Sequence, residues 1–218
     1  MKTEKHPFQP FLPENTRILF LGSFPPQPHR WCMPFYYPNW INDFWRIMGL
    51  IHFGNKEHFC VPGEKRFDEA AIRVFCTDAG LAFYDTATEV RRLKDNASDA
   101  FLEVITPTDI PALLARIPEC RTLVTTGEKA SQIVAQTLGC AVPPVGGHTV
   151  IPSQPPVIPS EAKEPSLRAM APSGGKPITF WRMPSTSRAY PLKLEKKADE
   201  YWKLFRASIC LENSFIFA

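Results

Sequence analysis

An α/β fold is what this sequence predicts: a three-layer αβα domain around a central, mainly parallel four-stranded sheet. Three observations predict it. Four short apolar runs, Ile18–Leu21, Leu81–Tyr84, Thr122–Thr125 and Ile178–Met183, have strand length. Helical periods flank them instead of short hairpin turns, and strands alternating with helices build parallel sheets covered on both faces. The chain, 218 residues with 44% hydrophobic content, is long enough to bury one real core, so residues 1–218 read as a single domain.

The elements follow in order. Ile18–Leu21 runs into Gly22-Ser23-Phe24-Pro25-Pro26, a turn in which glycine permits close approach of a ligand and the prolines stiffen the loop. Asn39 is a fitting N-cap for a helix that places Ile41, Phe44, Trp45 and Met48 on one face. Apolar positions 67, 71, 72, 75 and 79 predict a helix over Phe67 to Ala79, closed by Gly80. The second strand, Leu81–Tyr84, ends on Asp85-Thr86, and Thr108 caps a short helix through Ile117. Thr122–Thr125 leads through Thr126-Gly127 into a helix from Glu128 to Leu138, closed by Gly139. After the last strand and Pro184-Ser185-Thr186 comes a helix over about Lys193 to Ser208, with Leu194, Ala198, Tyr201, Trp202 and Phe205 on one stripe. In such folds ligands bind beyond the carboxyl ends of the strands, and all four polar motifs fall on that edge.

The segment from 143 to 177 differs. It is rich in Pro, Ser and Gly, lacks either period, and reads as a flexible insertion before the last strand. A sharper alternative is a DNA-clamping loop using Lys163, Arg168 and Lys176.

Composition excludes several classes. No apolar run approaches the ~20 residues of a membrane span, and the polar start lacks a signal-peptide core, so a soluble, cytoplasmic protein without membrane contact is expected. Six cysteines form no C-x-x-C pair, and five scattered histidines form no zinc-type pair, so free thiols, no metal and no cofactor are expected. Proline, 23 of 218, is about twice the usual share, which points to long or stiff loops. The net charge of +3 is uneven: between Arg182 and Arg206 seven Lys/Arg face three acids. That region is either a phosphate-contacting surface, with Arg188, Lys193, Lys196 and Lys197 as contacts, or a solvated helix face.

The motifs add a direction. Gly22-Ser23-Phe24-Pro25, then Tyr36-Tyr37 and Asn42-Asp43-Phe44-Trp45, then Gly80-Leu81-Ala82-Phe83-Tyr84-Asp85, then Pro184-Ser185-Thr186-Ser187 occur in a fixed order. In that order they resemble the uracil-DNA glycosylase superfamily, nearest to its hypoxanthine-DNA glycosylase-like branch, with a longer spacer after Tyr37. The resemblance covers most of the chain outside residues 143–177. It implies a monomeric, monofunctional DNA repair enzyme without lyase activity. Such an enzyme hydrolyses the N-glycosidic bond of a deaminated base (hypoxanthine, uracil or xanthine) flipped out of DNA.

The resemblance also implies roles. Asn42 and Ser23 are the catalytic candidates, Asn42 orienting water and polarising the sugar–base bond. Gly22, Phe24, Tyr37 and Asp85 would hold the base by close approach, stacking and hydrogen bonding. Ser185, Thr186, Ser187 and Arg188 would hold DNA, the hydroxyls on phosphates and Arg188 in the gap left by the base. Most members carry Asp or Asn where Phe24 stands, and many carry a histidine where Met183 stands. Each residue has a plainer reading. Phe24 plugs the core, Asn39 and Asn42 cap the helix, and Asp85 caps a turn through Thr86. Two other functions share the pattern. One is a non-catalytic DNA-lesion or nucleic-acid binder on the same fold. The other is an unrelated α/β protein holding a phosphorylated small molecule at Gly22-Ser23 or Thr126-Gly127-Glu128-Lys129, although no G-x-x-x-x-G-K-[ST] loop occurs.

Overall fold

Ile18, Leu19, Phe20 and Leu21 are all buried, which suits a strand inside a sheet covered on both faces and not one with a wet side. A computed structural model describes residues 3–93, 99–152 and 177–210. It opens with β1 (Thr3–Lys5) and β2 (Ile18–Gly22), followed by α1 (Phe44–Phe53), α2 (Glu69–Asp78), β3 (Leu81–Asp85), β4 (Ala87–Arg92) and β5 (Leu102–Pro107). The order then runs α3 (Ile110–Ala115), β6 (Thr122–Thr125), α4 (Glu128–Leu138), β7 (Gly147–Ile151), β8 (Ile178–Arg182) and α5 (Leu194–Cys210).

The main sheet has the order β3-β2-β6-β8-β7. β2 pairs in parallel with β3, Gly22 opposite Asp85, and with β6, Leu21 opposite Thr125. β6 pairs in parallel with β8, which carries β7 antiparallel on its far side. Five strands therefore replace the expected four, and the parallel core is the expected one. Phe20 and Phe83, opposite each other in the register, stack at 5.4 Å and meet Phe44 of α1 and Phe205 of α5 on one face. Thr125 lies on the opposite face and its hydroxyl reaches Ser131 of α4 at 2.7 Å, so α4 covers that side. Burying each such aromatic contributes about 1.5–3 kcal/mol.

Several expectations need correction. Gly147–Ile151 lies within the segment read as structureless. Only Ile151 is buried there, so β7 is held by its ladder to β8 and by His148 on Trp181, which no apolar period reveals. The rest of that insertion, 153–176, including Lys163, Arg168 and Lys176, lies outside the described residues. A second sheet, β1-β4-β5, is antiparallel; its strands carry charges, and its own core is only Ala87, Val90 and Leu102. α1 begins at Phe44 instead of after Asn39. α3 is capped by Asp109, whose side chain accepts Ala112 N–H, while Thr108 is buried and donates to the Asp85 carbonyl at 2.6 Å. Among the described residues no helix is long and apolar enough to cross a membrane.

α1 also carries a polar group into the core. His52 sits edge-on to Phe75 of α2 and Phe205 of α5, and its Nε2 is buried without a hydrogen-bond partner among the described residues. Burial pulls its pKa from 6.5 to about 4, because the imidazolium would lose its hydration. The unfolded chain therefore takes up a proton as pH falls through 6.5, whereas the folded one resists until about 4. The stability owed to a neutral His52 is complete above that window and lost on descending through it. His52→Leu should gain on the order of 2 kcal/mol over the wild type at pH 4.5 compared with pH 8, measured by denaturant unfolding at both. Equal differences at the two pH values would show that the ring titrates freely.

Candidate functional site

The carboxyl ends of β2, β3, β6 and β8 open into one cleft of about 650 Å³, within the range of ligand pockets. Gly22, Ser23, Phe24, Tyr37, Asn42, Asp85, Ser185, Thr186, Ser187 and Arg188 all line it, so four sequence segments converge as the strand order requires. Thr126, from the third strand-end motif, lines it as expected, and Asp99 and Arg30 line it as well without having been singled out by sequence.

Gly22 ends β2 directly opposite Asp85. A Cβ on Gly22 would collide with Asp85 Oδ1, so only glycine leaves room for that carboxylate. The other oxygen, Oδ2, lies 2.8 Å from His6 Nε2. His6 Nδ1 lies 2.9 Å from the Phe8 carbonyl and 3.1 Å from Phe8 N, and Nε2–H donates to the Asp85 carboxylate. Asp85 is thus buried, paired on one oxygen and pressed against bare backbone on the other. The Thr86 cap does not account for it: Thr86 N–H goes to the Gly22 carbonyl.

Phe24 is half-buried. It packs against the small second core, stands edge-on to His6 at 5.2 Å, and still lines the cleft, so it serves both as plug and as wall. Tyr37 is the one described non-glycine residue with left-handed backbone, φ 51°, a conformation that costs about 1 kcal/mol or more and persists where surroundings enforce it. The enforcement is visible: its ring stacks on Phe44 at 3.8 Å and its hydroxyl meets Thr126 Oγ1 at 2.9 Å. Burial pushes the phenol far above its ordinary pKa, with the Thr126 hydrogen bond opposing, so it stays protonated. Only the ring face away from Phe44 is available to a ligand.

Asn39 and Asn42 both make local turns. Asn39 Oδ1 accepts Ile41 N–H at 3.1 Å, and Asn42 Oδ1 accepts Phe44 N–H at 2.9 Å. The plainer reading of Asn42 as a group that serves the helix start therefore holds for its oxygen. With Oδ1 engaged at the start of α1, its amide NH₂ is the end that can donate to a ligand. Met183, at the position of many relatives' histidine, is buried in the core and does not line the cleft.

The 184–188 loop is held by its carbonyls. Pro184 O accepts from Tyr201 Oη at 3.0 Å, Thr186 O from Asp43 N–H at 2.9 Å, and Ser187 O from Lys197 Nζ at 2.8 Å. Lys197 also donates to Asp43 Oδ2 at 2.8 Å, and Arg188 Nε reaches Asp43 Oδ1 at 3.3 Å. Lys197 is 0% exposed and Asp43 7%, which removes Lys197 from the surface contacts expected of the basic region. Spacing could have found it, since 197 falls three after Leu194 and four before Tyr201 on the apolar stripe. Lys196 pairs with Asp199 and Lys203 with Glu200, so part of the local charge is already matched. Ser185 and Ser187 spend their hydroxyl oxygens on Ser187 and Ala189 N–H, and Thr186 is buried.

Charge in the cleft is sorted by depth. Asp85 is buried and Asp99 half-buried, whereas the Arg188 side chain is 51% exposed. Arg30 lies between, with its Nε buried and lacking a partner among the described residues. Lys129 does not reach the cleft; its ammonium donates to the Asp99 and Leu102 carbonyls.

No family model matches the chain, and no curated protein does. Among solved structures it is similar to a protein of Methanosarcina acetivorans, determined by solution NMR and described as a candidate uracil DNA glycosylase. The two are 19% identical with a TM-score of 0.57 over 95% of this chain and 99% of the other. At that identity the likeness establishes a shared fold, the αβα arrangement around a mainly parallel sheet.

The Lys197–Asp43 pair gives a stability test independent of function. Lys197→Met should cost about 3 kcal/mol in denaturant unfolding, because it leaves a buried carboxylate with only the half-exposed Arg188 as partner, and Asp43→Asn added to it should return part of the loss. A single-variant loss below about 1 kcal/mol would show that the pair is not desolvated.

Proposed function

We propose that this chain is a monofunctional DNA N-glycosylase that hydrolyses the bond between sugar and a deaminated base flipped out of DNA. One observation carries the reading: four segments converge on a single aromatic-walled cleft whose inner charges are carboxylates and whose outer charge is a guanidinium. Breaking the N-glycosidic bond develops positive charge on the sugar, which inner carboxylates stabilise, while DNA phosphates stay outside where Arg188 and Arg30 can meet them. A phosphorylated small molecule fits less well, since its anion would face Asp85 and Asp99 and find Lys129 already engaged.

Within this reading the base lies against the open face of Tyr37 and beside Phe24. Asp85, a hydrogen-bond acceptor, selects a base edge that offers N–H, as hypoxanthine, uracil and xanthine do. The Asn42 NH₂ donates to the base or to the attacking water. Among the described residues no lysine lines the cleft, which supports direct hydrolysis over a Schiff-base route. The absence of a histidine from the lining favours slow turnover, and a lesion binder that never releases a base is the competing outcome.

Oligonucleotides carrying uracil, hypoxanthine, xanthine or a T·G mismatch, treated with alkali after incubation, separate the two. Cleavage at one of these bases is expected. Asn42→Asp should keep the Phe44 turn and the melting temperature while cutting turnover on the order of 100-fold, since it retains the acceptor and loses the donor. Asn42→Ala should lose the same activity and about 1 kcal/mol of stability besides. Asp85→Ala should reorder the preferred bases more than it lowers the best rate. Tight lesion binding by the wild type with no base released at any enzyme concentration would replace the glycosylase reading with the binder.

A further inference from the structure

We propose, resting on the hydrolysis read above, that Asp99 is the general base of this cleft, supplying the carboxylate that Phe24 cannot. Asp99 begins the short 3-10 turn that leads into β5, so it enters the cleft from the small antiparallel sheet and not from a parallel strand end. It is anchored twice. Ser23 Oγ donates to its Oδ1 at 2.6 Å, and Lys129 Nζ, from the first turn of α4, donates to its backbone carbonyl at 2.8 Å. The same ammonium also holds the Leu102 carbonyl, which fixes the entry to β5. Its second oxygen, Oδ2, lies over Gly127, where even an added Cβ would stand 3.6 Å away. A carboxylate fixed at one oxygen and lying over bare backbone at the other has the preorganisation a base requires.

Two other side-chain acceptors of the cleft are more encumbered. Asp85 gives Oδ2 to His6 and lies with Oδ1 against Gly22, and the Asn42 oxygen is in the Phe44 turn. Desolvation raises the Asp99 pKa above that of an ordinary aspartate, and the nearby Asp85 adds to the rise. The Ser23 hydrogen bond and the charges of Lys129 and Arg92 oppose it. The groups facing it are thus Ser23, Lys129, Arg92 and Asp85. A carboxylate moved toward the working pH is a stronger base than a free one.

The step balances as follows. Asp99 takes one proton from water as the water oxygen bonds to C1′. The C1′–N bond breaks with its electron pair going to the base, and the base takes up a proton from solvent. Asp99 then returns its proton to solvent. The products are an abasic site and the free base, with one water consumed.

The test is single-turnover cleavage of whichever base the wild type releases, followed across pH. Asp99→Asn should slow the reaction on the order of 100-fold and abolish the acid limb of the pH–rate profile, with binding to abasic DNA unchanged within about twofold. Wild-type speed, or a slowed reaction that keeps the wild-type acid limb, would overturn the assignment while leaving the glycosylase intact. Ser23→Ala provides a second readout should the first variant fold poorly. Removing the hydrogen bond that favours the ionised carboxylate must move the acid limb to higher pH, and an unmoved limb overturns the proposal. A wild type inactive on every substrate overturns the hydrolysis itself, and this base with it, which is a different result from an active Asp99→Asn enzyme.

Discussion

The cleft depends on one buried ion pair. Asp43 and Lys197 are 154 positions apart, and each would be costly inside the protein without the other. Asp43 stands at the N-terminus of α1, where its carboxylate would ordinarily cap backbone N–H groups, yet it makes no such bond and turns to Lys197 and Arg188 instead. The neighbouring Asn42 takes up a capping bond, to Phe44 N–H. Lys197 meanwhile spends a second proton on the Ser187 carbonyl. One pair thus locks α1, α5 and the 184–188 loop together, and so sets Asn42 on one wall of the cleft relative to Arg188 on another. Replacing it with apolar residues could preserve the fold, but the loop would keep only its Pro184 and Thr186 bonds and lose those at Ser187 and Arg188.

The parallel core was legible because its signals are local and redundant. Glu128–Leu138 is periodic, preceded by Gly127 and followed by Gly139, and the helix occupies those bounds. Thr122–Thr125 is buried throughout and is the strand expected. The second sheet was hidden because cross-strand charge pairs contribute where apolar alternation is lacking: Arg91 meets Glu103 at 2.9 Å and Arg92 meets Glu4 at 3.0 Å. β7 was hidden in Pro/Gly-rich sequence for a similar reason. That the strand-end segments meet in one cleft was legible because strand ends in parallel sheets converge, whereas Tyr37 and Asn42 reach it from the connection before α1 and were singled out through the motif resemblance. Asp99 and Arg30 were not, because each enters through a connection whose path no period encodes. His6 was missed because its role is defined only by Asp85, 79 residues away.

Placing acids inside and a guanidinium outside has an energetic logic. A carboxylate deep in a cleft acts through a lower effective dielectric, so it stabilises a developing cation more than the same group would at the surface. Arg188, by contrast, needs only to meet a phosphate in water, where screening makes the contact weak and reversible. A positive group deep in the cleft would oppose the sugar cation, and in this chain Lys129 and Lys197 are each bound to carbonyls or to a carboxylate outside the lining. The local sorting of charge therefore carries more information about chemistry than the net charge of +3 does.

The absence of a methyl group at Gly22 has a consequence for how this chain can diverge. Gly22 and Asp85 are register partners, and the space a Cβ would take at one is held by a carboxylate oxygen of the other. Position 22 cannot gain a side chain while the carboxylate at 85 stands. An alanine at 22 requires a shorter side chain at 85, and that in turn strands the proton His6 now donates. The constraint therefore runs in one direction: the side chain at 85 can shorten while glycine stays at 22, whereas a side chain at 22 must wait for that change.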